Sequence, residues 1–171
     1  MPGKLQTELH QTRPFESVGE EAVLNILRTA EVVQRSIAEF LKEFDLSPTQ
    51  YNVLRILRGG GAAGVTCSQI GERLVTHDTD ITRLLDRMEA RGLIARERSS
   101  TDRRAIITRI SAEGLALADS IDAPVRAMTQ LRMGKFGPDA LAVLITGLER
   151  VRAAFDTENS SVKAVKERKI K

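Results

Sequence analysis

Residues 68–111 read SQIGERLVTHDTDITRLLDRMEARGLIARERSSTDRRAIITRIS. Within them Ile81, Leu84, Leu85 and Met88 recur at helical spacing, and Gly92 supplies a helix stop. Past Gly92 the apolar period shortens to that of strands. Residues 93–98 and 105–110 read as a β-hairpin around a polar tip at 99–104. The segment 76–80 is expected to open the helix, which leaves Thr79, Thr82, Arg83, Asp86 and Arg87 opposite its apolar side. Upstream, Thr66-Cys67-Ser68-Gln69 is a capping box, in which a hydroxyl and a carboxamide satisfy otherwise orphaned amides. It opens a short helix ending near Leu74. Downstream, Ser111 is expected to cap a helix running towards Phe136, with Leu117, Ile121, Val125, Met128 and Leu131 roughly on one side. Pro124 should kink or interrupt it.

Further out, a second capping box at Ser47-Pro48-Thr49-Gln50 opens a helix through Tyr51, Val53, Leu54, Ile56 and Leu57, stopped by Gly59-Gly60-Gly61. Before it, Val23, Ile26, Ala30, Val33, Ile37, Phe40 and Phe44 are spaced alternately three and four apart. This is an apolar seam about six turns long. So long a seam in a short chain wants a long partner, and a second subunit supplies one. Gly137-Pro138-Asp139 starts a last helix with Leu141, Leu144, Ile145, Leu148, Val151 and Phe155 inward. Pro2, Gly3 and Pro14 mark residues 1–15 as a flexible arm, and the basic tail from 158 on is expected to fray.

The 171 residues are 42% hydrophobic and 29% charged, enough apolar material for a core. Aromatics are 4%, too few for base-stacking platforms on single strands. One cysteine and two histidines give no disulfide framework and little for a metal centre, so no cofactor or metal is expected. No apolar run approaches a membrane span, and the first residues lack the apolar core of a signal peptide; a cytoplasmic location is expected. Net charge is only +3, but it is unevenly spread. Residues 73–109 hold nine arginines against six acids, and residues 160–171 hold five basic groups against one acid. Such asymmetry is what a polyanion-binding surface produces, although solvated helix faces give similar patterns.

Catalytic and nucleotide-binding readings fail on context. Gly59, Gly61 and Gly64 match G-x-G-x-x-G, but the strand and βαβ unit the motif requires are missing, and a loop between helices explains them. Asp78 and Asp80 sit at a helix start, where acids complement the dipole. Cys67, in a first turn, is packing more readily than a reactive thiol. No nucleophile, base and orienter come together, so the chain is not expected to be an enzyme.

The order helix, turn, helix, Arg-bearing hairpin does carry a mechanism. A helix fits the major groove of duplex DNA, where Arg and Thr read base edges. The preceding helix would cross the phosphate backbone, offering its first amides and Ser68. A slender tip bearing Arg103 and Arg104, with Arg98 on the adjoining strand, suits the narrow minor groove. Asp102 would pair with a neighbouring arginine and hold it in an inserting pose. A surface turn with scattered charge is the plain alternative.

These residues, LSPTQYNVLRIL together with the segment from Ser68 to Ser111, resemble the MarR family of winged helix-turn-helix transcription regulators over residues 17–155. The densest match is RLLDRMEARGLIAR followed by DRR. The resemblance implies a mainly α fold with a small β-hairpin wing. It places an N-terminal dimerisation helix at 16–46, a winged helix-turn-helix region at 47–111, and C-terminal dimerisation helices at 112–157 before the tail at 158–171. It implies a homodimer on a pseudo-palindromic operator, expected to be a repressor and to be released by a small aromatic or anionic effector. By this analogy the recognition helix starts near Thr76; His77, Asp78, Thr79, Thr82 and Arg83 fall where bases or phosphates are touched, and Arg87 shares their face. Arg104 is the wing residue, and Val23, Ile26, Ile37, Leu144, Leu148, Val151 and Phe155 are the expected dimer seam.

The chain departs from the family pattern in three places. Ile110-Ser111 stands where Leu-Thr is usual, which keeps the cap. Cys67 is not where the peroxide-sensing branch carries its cysteine. Asp78 and Asp80 either cap the helix or read a cytosine amino group. A winged-helix protein-interaction module without DNA binding is the competing reading; it predicts a recognition face lacking Arg and Thr.

Overall fold

A computed structural model describes residues 3–76, 80–99 and 105–169, with side chains to residue 157. In chain order the elements are α1 (Lys4–Glu8), α2 (Val18–Leu41), α3 (Pro48–Gly60), β1 (Val65–Thr66), α4 (Cys67–Arg73), α5 (Ile81–Ala90), β2 (Ile94–Arg98), β3 (Ile106–Ile110), α6 (Ala112–Met133) and α7 (Pro138–Lys169). Single 3-10 turns follow α2, α3 and α6. The chain divides into two units, residues 1–121 and 122–171. Among the described residues no helix is long and apolar enough to cross a membrane.

Local chemistry sets most helix starts. Ser47 Oγ accepts the Gln50 amide at 3.1 Å while Gln50 Oε1 accepts the Ser47 amide at 2.8 Å, and Pro48 pre-sets the first turn of α3. Thr66 and Gln69 repeat the arrangement at α4, at 3.3 and 3.0 Å. Ser17 caps α2, and Ser111 Oγ accepts the Gly114 amide at 2.9 Å to start α6.

The core of the first unit is the apolar stripes of these helices folded on one another. Leu41 of α2, Leu54 and Leu57 of α3, Ile70 of α4, Leu85 and Met88 of α5 and Ile121 of α6 are all buried. Each contributes about 1.5–3 kcal/mol of apolar transfer. The sheet is antiparallel, in the order β1-β3-β2. Thr108 in the central strand lies opposite Val65 on one side and Arg96 on the other. It is 1% exposed, and its Oγ1 has no hydrogen-bond partner.

Two glycines permit the close approaches that shape the wing. A Cβ at Gly114 would lie 2.0 Å from the Leu93 carbonyl oxygen, so α6 reaches the base of the hairpin only without one. Gly64, at φ +71, passes over β3, where a Cβ would lie 2.5 Å from Ile107 Cγ2. The glycines read as an interhelical loop thus also lead into β1, a strand the sequence reading missed.

Three other expectations change. The stretch read as a flexible arm carries the short helix α1, because Leu5 finds burial at 4% exposure. Of the kink or interruption expected at Pro124, the interruption does not occur: α6 runs from Ala112 to Met133 with Pro124 inside it. The backbone of α7 stays helical to Lys169 instead of fraying from 158, in a sequence with no Gly or Pro after Gly147.

Candidate nucleic-acid interface

The candidate interface is built on α5 and the β2–β3 hairpin. The helix starts at Ile81 and not near Thr76. Asp80 is its cap, with Oδ1 accepting the Arg83 amide at 3.3 Å and Oδ2 3.2 Å from Arg83 Nε. Of the two readings open for Asp80, capping is therefore realised. Thr76 is exposed in the connection before it, where Asn52 Oδ1 accepts the Val75 amide at 2.9 Å. His77, Asp78 and Thr79 lie outside the described residues, as do Asp102, Arg103 and Arg104 of the hairpin tip.

Leu84, Leu85 and Met88 are buried, with Ile81 half-buried, so the opposite face of α5 is the exposed one. It carries Thr82, Arg83, Asp86 and Arg87. Ser68, in the first turn of α4, is exposed and hydrogen-bonded to Glu72 at 3.2 Å. Arg98, at the end of β2 opposite Ile106, is exposed as well. The structure thus places six of the expected contact residues, Ser68, Thr76, Thr82, Arg83, Arg87 and Arg98, at the surface of one unit. Cys67 beneath Ser68 is half-buried.

Sequence reasoning missed the ion pairs that hold this surface. Arg96 on β2 donates from Nε and Nη2 to Glu89 Oε2, at 2.9 and 2.6 Å, and from Nη2 to Asp86 Oδ1 at 2.6 Å. Its backbone amide reaches Glu89 Oε1 at 3.1 Å. The hydrogen bond from Arg96 holds the Glu89 carboxyl below its ordinary pKa, and burial only partly opposes it. Arg109 on β3 donates to the Ala62 carbonyl at 2.7 Å and pairs with Glu97 across the hairpin. At the far end of α5, Arg91 holds the Asp45 carbonyl at 2.6 Å and its carboxylate at 3.1 Å. Acids at 86 and 89 with an arginine at 96 were visible signals, but only the hairpin register brings them together.

The expected dimer residues divide by exposure. On α2, Val23 is exposed, Ile26 and Ile37 are half-buried, and Leu27 is 60% exposed. On α7, Leu148 and Val151 are half-buried, while Leu144, Ile145 and Phe155, read as inward, are exposed in the single chain. Among the described residues no side chain after Ile121 is buried.

The model of the MarR family matches residues 44–105. The uncharacterized HTH-type transcriptional regulator YkoM of Bacillus subtilis (strain 168) is 27% identical over 135 residues, spanning 76% of this chain and 86% of the relative. A solved MarR transcription factor from Planctomyces limnophilus is 36% identical over 79% of this chain and 98% of its own, with a TM-score of 0.61. MepR of S. aureus, solved in a DNA complex, covers 76% of this chain and 94% of its own at a TM-score of 0.70; at 18% identity that likeness is one of fold. With an exposed Thr- and Arg-bearing helix beside a hairpin and these relatives, the chain belongs to the MarR family of winged-helix DNA-binding transcriptional regulators.

Proposed function

We propose that the chain acts as a homodimeric, cytoplasmic repressor that reads a pseudo-palindromic operator and is released by a small aromatic or anionic effector. One observation carries the DNA-reading part: α5 buries Leu84, Leu85 and Met88 and turns Thr82, Arg83 and Arg87 outward beside the hairpin. The competing protein-interaction module would lack Arg and Thr there. His77, Asp78, Thr79, Arg103 and Arg104 extend the contact set by family likeness, and MepR, of the same fold, was solved with DNA.

Unpartnered apolar surface supports the dimer. Leu27 on α2 and Phe155 on α7 are 60% and 52% exposed in one chain, and exposed apolar surface of this kind marks protein contact sites. A second copy bringing the same helices covers them. An open cavity of about 420 Å³ between α2 and the start of α3, lined by Arg35, Pro48 and Thr76 among others, has the size of a small-effector site.

The test is selection of bound sequences from a random duplex pool at physiological salt. An enriched inverted repeat, with half-sites about one helical turn apart and affinity falling steeply with salt, supports the reading. No enrichment, with salt-insensitive binding, removes it.

A further inference from the structure

Arg96 sits on the wing, yet among the described residues its guanidinium hydrogen-bonds only to the candidate recognition helix. Asp86 and Glu89 are three apart and so share one face of α5. The guanidinium bridges them, and the Arg96 amide takes the remaining Glu89 oxygen. The side chain is 20% exposed, which shields these charges from water more than surface pairs are shielded. Asp86 and Glu89, at 53% and 38%, would otherwise stand as free carboxylates on a helix that approaches phosphates.

The position of this tie gives it leverage. Other polar links between the end of α5 and the hairpin lie at its base, where Ser111 donates its hydroxyl to the Gly92 carbonyl at 2.6 Å and its amide to the Leu93 carbonyl at 3.1 Å. Arg96 is two residues further out along β2 than Ile94, the last buried residue of that strand, and two residues short of exposed Arg98. Beyond it the hairpin has no buried side chain among the described residues of β2. While β3 is held from its other side by β1, through Val65 and Thr66, the approach of β2 to α5 beyond Ile94 rests on this cluster.

We propose that Arg96 is a positioning residue: by clamping β2 to Asp86 and Glu89 it fixes the angle between wing and recognition helix, so that both enter their grooves together and base preference under the wing is retained. This rests on the DNA-reading function proposed above. The guanidinium touches no DNA in this scheme. The guanidinium fork matters because Nε and Nη2 take Glu89 side by side while Nη2 reaches Asp86; an ammonium can bridge two carboxylates but lacks the planar fork that fixes the direction of the contact.

The full-length protein and three variants decide it: Arg96→Met, which keeps the stem; Arg96→Lys, which keeps the charge; and Arg96→Met combined with Asp86→Asn and Glu89→Gln, which removes the exposed carboxylates. Without DNA, amide hydrogen exchange is followed in residues 94–110 and, as an internal control, in α3. Arg96→Met should speed exchange in the hairpin and leave α3 protected, with Arg96→Lys in between; unchanged hairpin exchange overturns the clamp. With DNA, affinity is compared on operators whose flanking pairs under the wing are A·T or G·C. A flank preference of about tenfold should fall to near parity in Arg96→Met while preference under α5 persists. Flank preference kept in Arg96→Met, or restored in the triple variant, overturns it in favour of simple charge masking. If wild-type protein shows no selective duplex binding, the proposed function fails, and the exchange measurement still decides whether Arg96 holds the wing.

Discussion

Asp80 holds Arg83 twice, through the backbone amide at 3.3 Å and through Nε at 3.2 Å. One carboxylate thus starts α5, the candidate recognition helix, and also restrains one of its outward arginines. Capping by Asp or Asn is worth about 0.5–2 kcal/mol over Ala, whereas the exposed ion pair adds little. Asp80→Ala should lower unfolding free energy by about 1 kcal/mol, and Asp80→Asn should stay near wild type. Asp80→Asn should also bind non-sequence duplex more tightly, because a negative charge leaves the helix face. Urea unfolding and fluorescence anisotropy across a salt series check both outcomes.

Gly114 is the second position where one atom decides. Its missing Cβ would sit 2.0 Å from the Leu93 carbonyl oxygen, a backbone atom that cannot swing aside. Gly114→Ala should destabilise the protein by about 3 kcal/mol although alanine is the better helix former. Thermal unfolding that matched wild type would show that α6 can shift away from the hairpin base.

Thr108 offers a gain. Its hydroxyl is buried without a partner between Val65 and Arg96, so it bears a desolvation cost that no hydrogen bond returns. Thr108→Val keeps the shape and β-branching and should raise unfolding free energy by about 1 kcal/mol. Calorimetry would report it as a higher Tm.

Glu89 should make stability depend on acid. Its folded pKa lies below the ordinary 4.5 because of the Arg96 hydrogen bond. A depressed folded value means the contribution is fully present above the ordinary value and is lost as pH falls through the folded one. Glu89→Gln should therefore lose stability at neutral pH but less on acidification below pH 4.5, so the two curves converge. Parallel curves would show that this carboxylate is not coupled to folding.

What was legible in the sequence was local. Both capping boxes occur as written, because Ser47 with Gln50 and Thr66 with Gln69 need only each other. The hairpin strands were legible from their period. The start of α5 was not, since Thr76 and Asp80 are both acceptable caps and the choice depends on how the connection from α4 is anchored, here by Asn52 from α3. The two-residue strand β1 carried no pattern of its own; it exists because Gly64 lets Val65 and Thr66 pair with β3, some forty residues on.

The sequence by itself determined the helix-turn-helix-hairpin order, the apolar faces, and the Thr and Arg positions of the candidate recognition helix, since periodicity and capping act within a few residues. Only the tertiary structure decided that Asp86 and Glu89 meet Arg96, that Arg109 meets Ala62, and that Thr108 is buried unpaired. Those contacts depend on hairpin register and on the packing of α6 under Leu93, which join residues whose separation no local pattern records.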